Sequence, residues 1–146
     1  MRSFLYSLGF AWAAVSPLGA QVSSLDSSLH RHVADYTRLY TRDSLPKWRE
    51  LFLPTFTSAS TRADSGVSVR RLDEFYAAQE RGFATATRMG ERLENVRIER
   101  RGRMATVWAD FVYWSDDDGR RGRLVLTAIF QREGWRFHSL MFSYYD

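Results

Sequence analysis

The sequence of 146 residues contains no cysteine, a single lysine (Lys47) and no long basic run. Without cysteine the chain can form no disulfide framework, no thiolate nucleophile and no zinc–thiolate site. The formal net charge of +4 comes almost entirely from arginine, which gives only weak support for an anionic partner. At this length we expect one domain with a substantial core rather than two domains.

Aromatic residues, in contrast, are abundant. They make up 15% of the chain, with five tryptophans and ten phenylalanines. So many large apolar side chains in a small domain favour a broad concave sheet or an apolar cavity.

The first twenty residues have the layout of a secretory signal peptide. Arg2 precedes an apolar run over Phe4–Val15, and small residues end the segment at Ala20. The run is too short to span a membrane. The sequence therefore predicts a leader over residues 1–20 and export to the periplasm or the extracellular space, with no stable membrane insertion after the leader is removed. A buried N-terminal helix or an uncleaved anchor is the alternative.

The next part of the chain has helical periodicity. We expect a flexible polar lead-in over residues 21–27 and one domain over residues 28–146. Apolar residues recur every three or four positions and predict helices over Leu29–Tyr40 and Leu72–Phe83. Between them, Asp43-Ser44 is a candidate cap for a short helix ended by Pro54, and two short strands follow over residues 55–61 and 67–69.

The last third of the chain predicts an antiparallel meander. Strand-like runs rich in aromatic and β-branched residues are separated by turn residues such as Arg101-Gly102 and Glu133-Gly134. The predicted strands cover residues 93–100, 104–114, 123–131 and 135–145.

The predicted strand Met104–Trp114 has apolar residues on both faces. One face carries Ala105, Val107, Ala109, Phe111 and Tyr113; the other carries Met104, Thr106, Trp108, Asp110, Val112 and Trp114. A strand covered on both sides needs helices on one face and another sheet or subunit on the other. Asp110 must then be hydrogen-bonded, protonated or open to a cavity.

These elements carry a family resemblance. The run ADYTRLYTRDSLPKWRELFLPTF is similar to the opening of nuclear transport factor 2-like proteins, and GRMATVWADFVYW with LVLTAIFQREGWRF resembles their closing strands. The likeness is strongest to the SnoaL-like, or domain-of-unknown-function, branch. It implies an α+β fold in which a curved antiparallel sheet wraps around three N-terminal helices, a cone-shaped, cystatin-like roll with a pocket at its open end.

The resemblance does not choose an activity, because members of this superfamily include isomerases, dehydratases, cyclases, epoxide hydrolases and noncatalytic domains. The steroid isomerases use a tyrosine near the position of Tyr36. They also use carboxylates near residues 57–60 and 124–126, where this chain has none. Steroid-isomerase chemistry is therefore disfavoured.

Two residues are candidates for catalysis. If the Asp110 face points into the cone, Asp110 would be a general acid or base near His138 on a neighbouring strand. The alternative is a structural carboxylate and a structural histidine. The predicted ligand-binding residues, for which core packing is an equal explanation, are Tyr36, Tyr40, Trp48, Trp108, Trp114, Leu126 and Tyr144.

The sequence argues against metal, cofactor and nucleic-acid sites. His30 and His32 are two residues apart and diverge on a helix, and the segment 116–119 lacks the spacing of a calcium loop. The two Arg-Arg-Gly-Arg segments lie at opposite ends of one strand, about 35 Å apart, so they form no single basic patch.

The sequence thus predicts an exported domain that binds an apolar small molecule, with catalysis undetermined. The alternatives are a cofactor-free lyase or isomerase that uses Asp110 and His138, or a noncatalytic protein-interaction domain. We also expect a homodimer through the outer sheet face. We assign this face to the Ala105 side of the predicted strand Met104–Trp114, because an exposed apolar face needs cover.

Overall fold

The computed structural model describes residues 17–62 and 66–145, with the side chains of residues 24–61 and 66–145. The elements follow the predicted α+β order: α1 (Pro17–Arg38), α2 (Leu45–Arg49), β1 (Phe52–Arg62), β2 (Gly66–Arg71), α3 (Leu72–Thr85), β3 (Met89–Arg101), β4 (Met104–Ser115), β5 (Asp118–Gln131) and β6 (Gly134–Tyr144).

The strands form one six-stranded sheet in the order β2-β1-β6-β5-β4-β3. The predicted meander of β3 to β6 is confirmed, with each strand antiparallel to the next. The long β1 lies beside β6 in parallel, and β2 folds back on β1 as an antiparallel hairpin. The sheet is therefore mixed at one position, and β2 and β3 are its two edges.

The first helix is longer than its periodicity predicts. Because α1 runs through residues 21–27, the prediction of a flexible lead-in there is wrong. Tertiary contacts stabilise this polar stretch: the Trp135 Nε1 atom donates to the Leu25 carbonyl oxygen at 3.2 Å, and Asp26 pairs with Arg100. Residues 1–16 of the predicted leader lie outside the described residues, so export stays a prediction.

Pro54 does not end a helix; it lies inside β1. The register between β1 and β6 shifts between the pairs Phe52–Phe137 and Thr57–Ser139. Proline is tolerated in strands at such irregularities, because no ladder hydrogen bond is required of its nitrogen. No helix in the described part of the chain is long and apolar enough to cross a membrane.

The core is an aromatic cluster between the helices and the concave face of the sheet. Trp48, Phe56 and Phe137 are completely buried, and the Phe52 ring packs against all three. The Trp48 indole also donates to the Tyr36 carbonyl oxygen at 2.8 Å, which satisfies its buried N–H. This cluster joins α1, α2, β1 and β6.

Strand β4 turns one of its two alternating sets of residues inward. Ala105, Val107, Ala109 and Phe111 are each at most 5% exposed and pack in the core. The neighbouring β5 follows the same division, with Leu124, Leu126 and Ala128 buried. The helices therefore cover the face to which we assigned the dimer contact, and that assignment is wrong.

His32 is a polar residue at the edge of this core. Its ring lies 4.4 Å from that of Phe137, and its Nε2 atom is buried without a hydrogen-bond partner in the described part of the chain. Burial and the nearby Arg136 guanidinium lower the pKa of His32 to about 4, against opposing contributions from Asp35 and the Leu51 backbone. His32 is therefore neutral in the folded protein at neutral pH.

We expect His32 to make the fold acid-sensitive. The unfolded chain takes up the proton near pH 6.5 and the folded chain only near pH 4, so stability is full above pH 6.5 and is lost as the pH falls towards 4. The loss should be roughly 2–3 kcal/mol. His32→Phe should remove this part of the pH dependence in urea unfolding, and His30→Gln on the exposed side of α1 should keep it. If the unfolding free energy of His32→Phe depended on pH as steeply as that of the wild type, the role of His32 would be contradicted.

Candidate functional site

A cavity of about 560 Å³ lies between the helices and the concave face of the sheet. Its walls combine aromatic rings with polar side chains that come from several elements. The aromatic walls comprise Tyr36, Tyr40, Trp48, Phe75, Phe111, Tyr113, Phe142 and Tyr144.

The curvature of the sheet brings its two edges to this one cavity. Ser68 and Arg70 of edge strand β2 and Met89 and Glu91 of edge strand β3 all line it. In a flat sheet six strands wide, the edges would be about 24 Å apart at 4.8 Å per strand. The cavity therefore exists because the sheet wraps around α1 and α3.

Glu91 is the acidic group at the centre of the site. It lies on the inner face of β3 with Met89 and Leu93, because alternate residues of a strand share a face. Tyr113 is opposite it on β4, and Arg120 is opposite Tyr113 on β5. Glu91 is half-buried as a residue, but its Oε1 atom is shielded from solvent and has no hydrogen-bond partner among the described residues.

Burial raises the pKa of Glu91 to about 7, because the charged carboxylate loses solvation among apolar and aromatic side chains. An interaction with the Tyr36 hydroxyl lowers this pKa but only partly compensates. At neutral pH the carboxyl group is therefore divided between its acid and base forms, which suits a group that both takes and gives a proton.

Tyr36 of α1 and Tyr40, two residues beyond the end of that helix, complete this side of the cavity. Burial and the neighbouring Glu91 raise the pKa of Tyr36 well above its ordinary value, so its hydroxyl remains a hydrogen-bond donor. Tyr40 donates to the Gln79 Oε1 atom at 2.5 Å, and the Gln79 amide nitrogen donates to the Phe75 carbonyl oxygen at 3.3 Å. This chain of bonds fixes the Tyr40 ring against α3.

Arg120 is a second charged residue at the cavity, but it is engaged. It pairs with Asp118 at 2.8 Å and lies 5.5 Å from the centre of the Tyr144 ring. On the wall formed by β1 and β2, Ser58, Ser60 and Ser68 present hydroxyl groups beside Arg70.

The structure divides the residues predicted to bind a ligand. Tyr36, Tyr40, Trp48 and Tyr144 line the cavity. Leu126 is completely buried and lies in the core rather than on the cavity wall. Trp108 and Trp114 lie on the opposite face of the sheet, so their predicted place in the pocket is wrong.

Asp110 also lies on the outer face, and the prediction that its face lines the pocket is wrong. Its Oδ1 atom accepts hydrogen bonds from the Tyr145 hydroxyl at 2.6 Å and from Arg123 at 3.1 Å, and its Oδ2 atom accepts one from Asn95 at 2.8 Å. These bonds lower the pKa of Asp110 to about 2. The geometry is that of a satisfied structural carboxylate.

His138 is exposed at a bulge in β6, where the register shifts between Thr127 and Ala128 of β5. Its Nδ1 atom lies 3.5 Å from the Thr127 hydroxyl. Asp110 lies on β4, two strands away from β6. Thr106 is the β4 residue opposite Thr127, and Asp110 is four residues, or about 13 Å, further along that strand. The predicted proximity of His138 and Asp110 is therefore wrong.

Sequence reasoning missed Glu91, although a signal was present. A strand that begins at Met89 places Glu91 in phase with the apolar Met89 and Leu93, hence on the inner face. The strand was predicted to start at Leu93, so Glu91 fell outside it. Within the described ranges, no three histidine, aspartate or glutamate side chains are grouped as metal ligands would be.

Comparison with known proteins supports the fold. A family model described as a SnoaL-like domain matches residues 30–146. No curated protein matches the sequence significantly. A crystal structure of a nuclear transport factor 2-like protein with a cystatin-like fold from Novosphingobium aromaticivorans is 14% identical with a TM-score of 0.72, covering 93% of each chain.

Two further solved structures are similar over most of their length. A protein of unknown function from Silicibacter pomeroyi is 18% identical, with a TM-score of 0.65 over 85% of this chain and 98% of that one. A proposed dehydratase from Streptomyces avermitilis is 12% identical, with a TM-score of 0.68 over 86% of this chain and 99% of that one. Likeness at these identities establishes the fold alone.

Proposed function

Because this chain belongs to the SnoaL-like domain family of the nuclear transport factor 2-like superfamily, we propose that it binds an apolar small molecule in the cavity and uses Glu91 to transfer a proton. Glu91 takes the role that the sequence had suggested for Asp110 and His138. The reaction class is that of a cofactor-free lyase or isomerase.

The observation that carries this proposal is the unpartnered Oε1 atom of Glu91 in an aromatic cavity. A buried polar atom without a hydrogen bond is costly, and such costs concentrate at functional sites. A carboxyl group with a pKa of about 7 is also matched to proton transfer at neutral pH.

The chemistry follows from the two groups at this end of the cavity. The Glu91 carboxylate accepts a proton from a carbon of the ligand next to a carbonyl group, and the Tyr36 hydroxyl supports Glu91. In an isomerisation, the resulting carboxylic acid returns that proton to another carbon. In a dehydration, it gives the proton to a hydroxyl group, which leaves as water while the double bond forms.

A test of this proposal needs a probe that is apolar and has exchangeable hydrogens beside a carbonyl group. β-Tetralone, a fused aromatic ketone, meets both requirements. In D₂O the wild-type chain should speed exchange of these hydrogens for deuterium above the buffer rate, as followed by proton NMR. Glu91→Gln should lose about 100-fold or more of this acceleration, a typical contribution of a general base.

The pH profile and a control separate Glu91 from other groups. Exchange should rise as the pH increases through about 7, because only the carboxylate acts as the base. The control Asp110→Asn, on the outer face, should accelerate exchange of the β-tetralone hydrogens as much as the wild type does. Equal acceleration by the wild type and Glu91→Gln would contradict the role of Glu91.

We further propose that the outer sheet face pairs with a second copy of the chain. One row of residues crosses the strands there and is apolar up to its last member: Val69, Ala59, Met141, Val125, Trp108 and Arg97. Val69 and Met141 are 65% and 59% exposed. Such a continuous apolar strip on a sheet supports an interface, since it is costly to leave in water.

Sedimentation velocity at micromolar concentration tests this pairing. The wild-type chain should sediment as a dimer, and Met141→Glu should sediment as a monomer because it places a charge in the middle of the strip. Ala34→Glu, on the exposed side of α1, is the control and should remain dimeric. A monomeric wild type would contradict the proposal.

A further inference from the structure

The cavity has a second polar region, remote from Glu91 along the sheet. It is formed by the inner face of the β1–β2 hairpin, where Ser58 is opposite Arg70 and Ser60 is opposite Ser68. All four residues line the cavity. Nothing in the proton-transfer chemistry at Glu91 uses them.

Ser58 is the clearest sign that this wall is built for a ligand. Among the residues whose side chains the structure describes, and leaving tyrosine and tryptophan aside, it is the only polar residue buried as a whole, with 3% of its surface exposed. Its hydroxyl makes no hydrogen bond within that part of the chain, although it faces the cavity. A hydroxyl that faces the cavity without a partner is available to hydrogen-bond with a polar group of a ligand.

Arg70 supplies an unneutralised positive charge at the same wall. Neighbouring acidic groups are already engaged: Asp73 pairs with Arg49, and Glu74 accepts a hydrogen bond from the Arg71 backbone N–H at 3.0 Å. Among the described residues, no carboxylate lies within ion-pair distance of Arg70. The other arginine of the cavity, Arg120, has its own partner in Asp118.

We propose that the ligand is an aromatic organic acid whose anionic group binds to Arg70 and the Ser58, Ser60 and Ser68 hydroxyls. This inference rests on the proposed function of the same cavity and specifies its substrate class. A guanidinium group with adjacent hydroxyls matches the oxygens of a carboxylate or sulfonate, and charge-assisted hydrogen bonds of this kind are strong.

The two polar regions fix the orientation of such a ligand. Its anionic group lies at the β2 edge, its apolar body packs on the aromatic walls, and its reacting carbon faces Glu91 at the β3 edge.

Two fluorescent probes test this arrangement in the full chain. Anilinonaphthalene sulfonate carries an anionic group, and phenylnaphthylamine has the same aromatic skeleton without it. Arg70→Gln should weaken binding of the sulfonate about tenfold and leave binding of the neutral probe unchanged. Ser58→Ala should also weaken binding of the sulfonate without weakening binding of the neutral probe.

Arg132→Gln is the matched control, because Arg132 also has no carboxylate partner within the described ranges and is exposed in the turn between β5 and β6. It should leave both dissociation constants unchanged. Equal sulfonate affinity in the wild type and Arg70→Gln would overturn the anion site while leaving the cavity intact. Failure of both probes to bind the wild type would instead overturn the proposed function itself, and with it this inference.

Discussion

The wrapping of one sheet around α1 and α3 is the constraint on which the rest of the structure depends. It brings residues of the edge strands β2 and β3, which would otherwise be far apart, into the lining of one cavity. The aromatic cluster around Trp48 and Phe52 maintains this curvature by filling the space beneath the helices. Without the curvature, Glu91 and Arg70 would lie at two unrelated edges rather than in one site.

Solvation explains why two carboxylates on adjacent strands have opposite properties. Asp110 accepts hydrogen bonds from Arg123, Asn95 and Tyr145, which stabilise its charge and lower its pKa. Glu91, on the other face of the sheet, loses solvation, and its interaction with Tyr36 only partly offsets that loss. Asp110 therefore stays ionised at neutral pH, whereas the pKa of Glu91 suits it to proton transfer.

Much of the fold could be predicted from the sequence, because long runs with clear alternation define β4, β5 and β6. Which face of β4 points toward the core was harder to predict, since both of its faces are rich in apolar residues. The neighbouring strand β5 distinguishes its two faces clearly, because Leu124 and Leu126 share one face and Arg123 lies on the other. Comparison of the two strands would have placed Asp110 outside.

The site itself depends on contacts that a single strand pattern does not contain. Glu91 enters the cavity only because the sheet closes around the helices, and its pKa depends on its burial there and on Tyr36 of α1. The unpaired state of Arg70 likewise depends on which partners Asp73 and Glu74 take in space. Long-range pairing decides both, and local periodicity gives no information about it.

The most direct test of the central claim is a carbon-13 NMR titration of the Glu91 side-chain carboxyl group, assigned by comparison with Glu91→Gln. The structure predicts a midpoint near pH 7, well above the ordinary 4.5 of glutamate, because the carboxyl group is buried in the cavity. A midpoint near 4.5 would show a solvated carboxylate and would contradict the role of Glu91 in proton transfer.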